Sequence, residues 1–349
     1  MRAPSLSDIL WGMKRGTRHR YGQAPRLAAV MLAAMACGFT GTLANAQSND
    51  LITAAGRGDL SAVNALLKAG ADVNDDKNTA SGPTTALMEA SSNGHLEVVQ
   101  ALLAAKADVN AGSIPALYYA TAVGNLDMVR VLLAAKPDLD WRDPIVGTTT
   151  LMLTLAPHSS VLRNQLTSSG RWDIARLLVE AGANVNVMTN AGVTALMLVA
   201  EENSPRSLAM VQALLAAYAD VNGGCVCGGR ALLEPGSPSY SRADGYTALG
   251  LAVSTGSVEV VQALLDANAQ RAANISLAVN AKQPGGNTPL TIASAKGRSD
   301  IVRLLLAAKA DVSAADNDGK TPLMLALEND HAEVAKLLTS ATVALPGQK

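Results

Sequence analysis

From residue 85 to residue 110 the chain reads TALMEASSNGHLEVVQALLAAKADVN, and its apolar positions keep helical spacing. Leu87 and Ala90 stand three apart, on one face of a short helix whose start Thr85 can cap with its hydroxyl. Asn93-Gly94 ends that helix, because glycine accepts the positive φ of a tight reversal. A second helix follows, with Leu96, Val99, Leu102 and Leu103 as its apolar stripe and Glu97 and Gln100 facing water. Asp108-Val109-Asn110 turns the chain, since Asp and Asn side chains bond to nearby backbone. Two helices this short bury too little surface alone and must stack on copies of themselves.

The copies are present. The Leu of the first helix recurs as Leu51, Leu87, Leu117, Leu151, Leu196, Leu249, Leu290 and Leu323. The second-helix Leu pair recurs from Leu66-Leu67 through Leu102-Leu103 and Leu305-Leu306 to Leu337-Leu338. The spacing is roughly 33 residues, lengthened at three places. The sequence here resembles the ankyrin repeat family, most closely at Asp318-Gly319-Lys320-Thr321-Pro322-Leu323 and Gly94-His95-Leu96-Glu97-Val98-Val99. The turn signature Ala-Asp-Val-Asn recurs at Ala71, Ala107 and Ala219, and Ala183 opens a close copy of it. The resemblance implies an all-α solenoid of about eight helix-turn-helix repeats, with three loop insertions, over residues 47–341. Residues 342–349 are expected to form a tail.

Departures from the family pattern carry their own expectations. Met88, Met152, Met197 and Met324 stand where the family usually has His, with Tyr118, Gly250 and Thr291 in other repeats; a flexible Met there reads as core filling. The Gly that ends the second helix is kept as Gly70 and Gly182 but replaced by Lys106, Lys136, Tyr218, Asn268 and Lys309. Either those helices end differently, or each non-Gly, non-Asn residue costs about 1 kcal/mol in a left-handed conformation. The insertions are expected at 157–171, within the fourth repeat, at 223–244, after the fifth, and at 271–285, after the sixth. Loops this long on a compact array are more often functional or disordered than structural.

The N-terminal residues alter the charge balance. Residues 1–26 hold Arg2, Lys14, Arg15, Arg18, Arg20 and Arg26 against Asp8, and residues 27–43 are apolar or small. Ala44-Asn45-Ala46 then places small residues at −3 and −1 of a cleavage before Gln47, the pattern of a secretory signal peptide. Translation from Met13 fits as well as from Met1. A membrane anchor is the weaker reading, because Gly38, Thr40, Gly41 and Thr42 interrupt a short apolar run. Lipidation at Cys37 is weaker too, since Ala34 stands where Leu is usual. Export to a bacterial periplasm or beyond is the expectation. Of 28 Lys and Arg and 29 Asp and Glu, cleavage leaves 22 and 28, a charge of −6. No basic run survives, which argues against a nucleic-acid partner. No membrane span is expected after cleavage, and the protein is expected to be a monomer.

Candidate chemistry is sparse. His95 and His331 fall where the family uses His for packing, and His158 lies in an insertion. No Cys/His spacing suits zinc and no Gly-rich loop suits a phosphate, so neither cofactor nor catalysis is expected. Cys225-Val226-Cys227, flanked by Gly223-Gly224 and Gly228-Gly229, could close a small disulfide, hold a soft metal or bridge chains. The primary expectation is a non-enzymatic module that binds a partner protein on the concave face of its stack; the alternative is a redox or metal-handling accessory using that cysteine loop. Carried over from the resemblance, the contact positions are Arg57, Asp76, Ser92, Asn93, Trp141, Arg142, Glu201, Glu202, Ser254, Thr255, Lys296, Glu328 and Asn329. Trp141 is singled out, because a large aromatic after a turn has no core of its own to fill. The opposite reading has it cover the fourth-repeat insertion.

Overall fold

The computed structural model describes residues 50–79, 82–156, 170–223, 245–270 and 279–343. These form eight helix pairs. The inner helices are α1 (50–57), α3 (Ala86–Ser92), α5 (Ala116–Val123), α7 (Thr150–Leu155), α9 (Ala195–Ala200), α11 (Ala248–Thr255), α13 (Pro289–Ala295) and α15 (Pro322–Glu328). Their outer partners are α2 (Leu60–Lys68), α4 (Leu96–Ala104), α6 (Leu126–Ala134), α8 (Gly170–Glu180), α10 (Pro205–Ala216), α12 (Val258–Gln270), α14 (Ser299–Ala307) and α16 (Ala332–Val343). From α3 onward each inner helix packs on the next, and each outer helix does likewise from α2 to α16, so the stack is unbroken. The chain is the all-α repeat solenoid that its pattern predicts.

Local chemistry sets the helix starts. Six inner helices are capped by Thr85, Thr149, Thr194, Thr247, Thr288 and Thr321, each hydroxyl accepting the N–H three residues on at 3.1–3.4 Å. Each such cap is worth about 1 kcal/mol. In α4 the buried stripe is Val98, Val99 and Leu102, while Leu96 and Leu103 flank it half-buried. Val98 therefore belongs to the core, a position the i, i+3 reading passes over.

The methionines behave as core filling only where a neighbour covers them. Met88, Met152 and Met197 are buried, but Met324 is 52% exposed on the last inner helix. Met88 fills the notch beneath the next repeat's tip, where a Cβ on Gly112 would lie 2.0 Å from its sulfur.

The Asp-Val-Asn turns form a ladder along one edge. Within a turn the first side chain accepts the N–H two residues on, at 2.9 Å for Asp72, Asp108 and Asp220. The third reaches the next repeat. Asn74 Oδ1 accepts from Asp108 N–H, Asn110 from Asp138 and Asn186 from Asp220, each at 2.7 Å, and Asp140 accepts from Asn184 at 2.9 Å. Asn280 continues the series, accepting from Asp311 N–H at 2.8 Å. This relocates the sixth-repeat insertion. Val279, fully buried, and Asn280 are the sixth repeat's own turn, so the extra residues lie before it rather than after the repeat. The fourth-repeat insertion is also shorter than expected, since Gly170 and Arg171 already belong to α8.

Both alternatives for the missing glycines occur. Lys106, Lys136, Tyr218 and Lys309 are left-handed, with φ of 71°, 55°, 65° and 63°. Asn268 is instead helical and buried, because α12 runs on to Gln270.

Candidate functional site

The surface formed by the inter-repeat tips and inner helices carries most of the expected contact positions. The tips are short hairpins. Strand β1 (Asp76–Thr79) pairs antiparallel with β2 (Gly82–Thr85), and single bridges join Arg142 to Thr149 and Met188 to Thr194. Neighbouring tips are tied by backbone bonds, Ser113 N–H to Pro83 O at 3.1 Å and Asn190 N–H to Val146 O at 3.0 Å. Two side chains lock the second pair further. Arg142 Nη2 donates to Met188 O at 2.7 Å, and Asn190 Nδ2 donates to Ile145 O at 3.0 Å.

Trp141 is not a bare tip residue. It is half-buried, with its ring against Tyr118 at a centroid distance of 5.3 Å and 67° between planes. Tyr118 in turn meets Tyr119 edge-on at 6.4 Å and 86°. Tyr118 occupies the notch that Met88 fills one repeat earlier, so Trp141 packs on the third repeat. Burial pushes the Tyr118 phenol up to about 12, with the Asp143 carboxylate adding to the shift. Tyr119 is raised as well, first by burial and then by Glu89.

The remaining expected positions divide by whether the protein already uses them. Arg57 and Asp76 are exposed. Asn93 Nδ2 caps α3 at Glu89 O, 2.9 Å away, and Ser92 Oγ donates to the same carbonyl at 3.1 Å. Glu202 pairs with Arg171, whose guanidinium also lies 4.5 Å over the Trp172 ring; Glu202 is thereby a structural partner rather than an open contact. Glu201 is half-buried beside it. Lys296 Nζ bridges to Ser254 O and Oγ at 2.8 and 3.0 Å, and Thr255 O accepts from Arg298 Nη2 at 3.3 Å. Glu328 takes Lys320 Nζ at 2.6 Å, and Asn329 Nδ2 donates to Leu325 O at 2.8 Å.

The histidines pack as expected. His95 Nε2 lies 3.1 Å from Gly56 O and His331 Nε2 lies 3.2 Å from Ala295 O, each joining its repeat to the one before. Arg298 takes the same position in the seventh repeat, against Gly256. His158, Cys37, Cys225 and Cys227 lie outside the described residues, as does the N-terminal segment. Among the described residues no cluster of His, Cys, Asp and Glu could hold a metal, and no helix is long and apolar enough to cross a membrane. A groove of about 570 Å³ between α12 and α14 is lined by Leu265, Ala269, Leu304 and Ala308. It opens on the outer helices, away from every expected contact.

Several surface residues escape the sequence reading. Ile145 is 76% exposed and Met188 47% exposed, on adjacent tips that Arg142 and Asn190 hold together. Tyr119 joins Trp141 through Tyr118. Adjacent Tyr residues in a chain with 3% aromatics were the available signal. A family model described as ankyrin repeats matches the chain in three stretches, residues 51–143, 229–316 and 271–345, together more than half its length. The unmatched residues between them include α7 to α10, which continue the same stack.

Proposed function

The chain belongs to the ankyrin repeat family, and from that premise we propose that it is an exported scaffold holding a partner protein on its tip-and-inner-helix face. Stacks of this family generally mediate contacts between proteins, because they offer a long surface of fixed geometry. One observation carries the reading here: Ile145 and Met188 expose apolar side chains from backbone already fixed by Arg142 and Asn190. Apolar groups on an ordered backbone lose little entropy when they are covered. Capture from a bacterial envelope fraction, by wild type and by an Ile145→Asp, Met188→Asp variant, tests it. The variant should lose the retained protein; equal retention by both overturns the reading. Replacing Cys225 and Cys227 by Ser should leave capture intact, whereas its loss would favour the redox alternative.

Export is supported by the basic, apolar and Ala44-Asn45-Ala46 segments in that order. The processed protein should begin at Gln47 and lie outside the cytoplasm. Cytosolic protein retaining Met1 or Met13 would overturn that part.

A further inference from the structure

We propose that the Tyr118–Tyr119–Trp141 corner, flanked by Glu89 and Asp143, receives a cationic side chain of the partner, an arginine by preference. The inference rests on the partner-binding reading above and deepens it. The three rings meet edge-to-face, at 5.3 and 6.4 Å, so their faces enclose an angle instead of covering one another. All three are half-buried, leaving ring surface open to solvent. An aromatic face carries negative charge density and attracts a cation within about 6 Å.

The charges around the corner favour the same occupant. Burial is the first cause of both raised phenols, with Asp143 adding at Tyr118 and Glu89 at Tyr119, and Asp143 stands two residues from Trp141 on the same tip. Neither carboxylate is in an ion pair among the described residues. Among the described residues the Asp143 side chain accepts only from the backbone of its own tip, at Ile145 and Val146 N–H, and Glu89 Oε2 accepts from Asn93 Nδ2 at 3.4 Å. The nearest cation in sequence, Arg142, is committed elsewhere, to Met188 O and Gly147 O. Aromatic faces and the Asp143 carboxylate thus share one junction, with Glu89 bordering it on the Tyr119 side, and no ion pair among the described residues neutralises either acid. At Trp172 the same chain makes the complete arrangement, with Arg171 over the ring and Glu202 paired to it. A guanidinium suits the corner better than an ammonium, because its plane stacks on a ring while its N–H fork meets a carboxylate.

Titration of the full chain with N-acetyl-arginine amide, and with the uncharged citrulline analogue, tests the assignment by ring-proton NMR. The arginine amide should shift the Tyr118 and Trp141 resonances, with the citrulline analogue about tenfold weaker. Glu89→Gln with Asp143→Asn should weaken the arginine amide about tenfold while leaving the fold intact, since the introduced amide keeps an acceptor oxygen for the turn. Equal affinity for the two amides, no shift at those rings, or an unchanged affinity in the double variant would each overturn the inference. Loss of envelope capture in the Ile145→Asp, Met188→Asp variant would still uphold the scaffold reading in those cases, so the two can fail separately.

Discussion

Asn186 is the clearest place to weigh one residue of the ladder against another. Its Oδ1 accepts Asp220 N–H at 2.7 Å and its Nδ2 donates to Tyr218 O at 3.1 Å, both groups belonging to the next repeat. Tyr218 is left-handed, with φ 65°, and is 79% exposed. A non-glycine residue there costs roughly 1–2 kcal/mol, and glycine's extra unfolded-state freedom takes back roughly 0.4–1. Tyr218→Gly should therefore stabilise by about 0.5–1 kcal/mol. Asn186→Ala removes two bonds at an exposed edge where water replaces part of the loss, so it should destabilise by about 1–1.5 kcal/mol. If Asn186 also holds Tyr218 in its strained conformation, the two effects are coupled. The cost of Asn186→Ala should then rise by at least about 0.5 kcal/mol in the Tyr218→Gly background, where losing the bonds releases no strain. Urea titrations of the four proteins, with amide exchange at Asp220 as a local readout, measure the cycle. Destabilisation by Tyr218→Gly, or additivity within about 0.3 kcal/mol, would refute the account.

Gly112→Ala should destabilise by at least about 2 kcal/mol, because φ is 97° and the new Cβ would lie 2.0 Å from Met88 Sδ and 3.3 Å from Pro83 O; an unchanged melting temperature would count against the notch packing. Tyr118 predicts an alkaline effect. Burial, then Asp143 and Tyr119, holds it neutral in the fold to about 12, whereas an unfolded phenol ionises near 10. The associated stability is complete below pH 10 and is lost as pH rises through the folded value. Urea midpoints should fall more between pH 9 and 11.5 for wild type than for Tyr118→Phe, and parallel curves would disprove it. Trp141→Ala should lower stability by about 1–2 kcal/mol, because the ring is half-buried against Tyr118. It should also weaken partner capture, and a change in neither would defeat both roles.

What was legible in the sequence is what repeats inside one period. Helix starts, stops and turns depend on residues three or four apart, so Thr85, Gly94 and the Asp-Val-Asn turns identify themselves. What was not legible depends on contacts about one period away. Trp141 reads as an aromatic with no core to fill because its partner, Tyr118, belongs to the previous repeat. Glu202 reads as an open contact because Arg171 lies in another helix pair. Val279-Asn280 escaped as a turn because extra residues separate it from α12 and Ala278 precedes it where Asp is usual. Its identity emerges only from Asp311, which it bonds across the repeat boundary.

The methionine series isolates this dependence on the neighbour. Met152, Met197 and Met324 follow the same helix Leu, and each N–H is capped by a Thr three residues before. Their local chemistry is alike, yet the first two are buried and the third is half exposed. The difference is the next repeat, which Met152 and Met197 have and α15 lacks among the described residues. The same register holds Tyr118, whose neighbour contributes Trp141, and Gly250, whose missing side chain leaves room for Gln283. Burial at this position is thus a property of a pair of repeats. A surface built from it can be altered at one junction without disturbing the helices on either side, which lets a stack of near-identical units carry one distinctive aromatic corner.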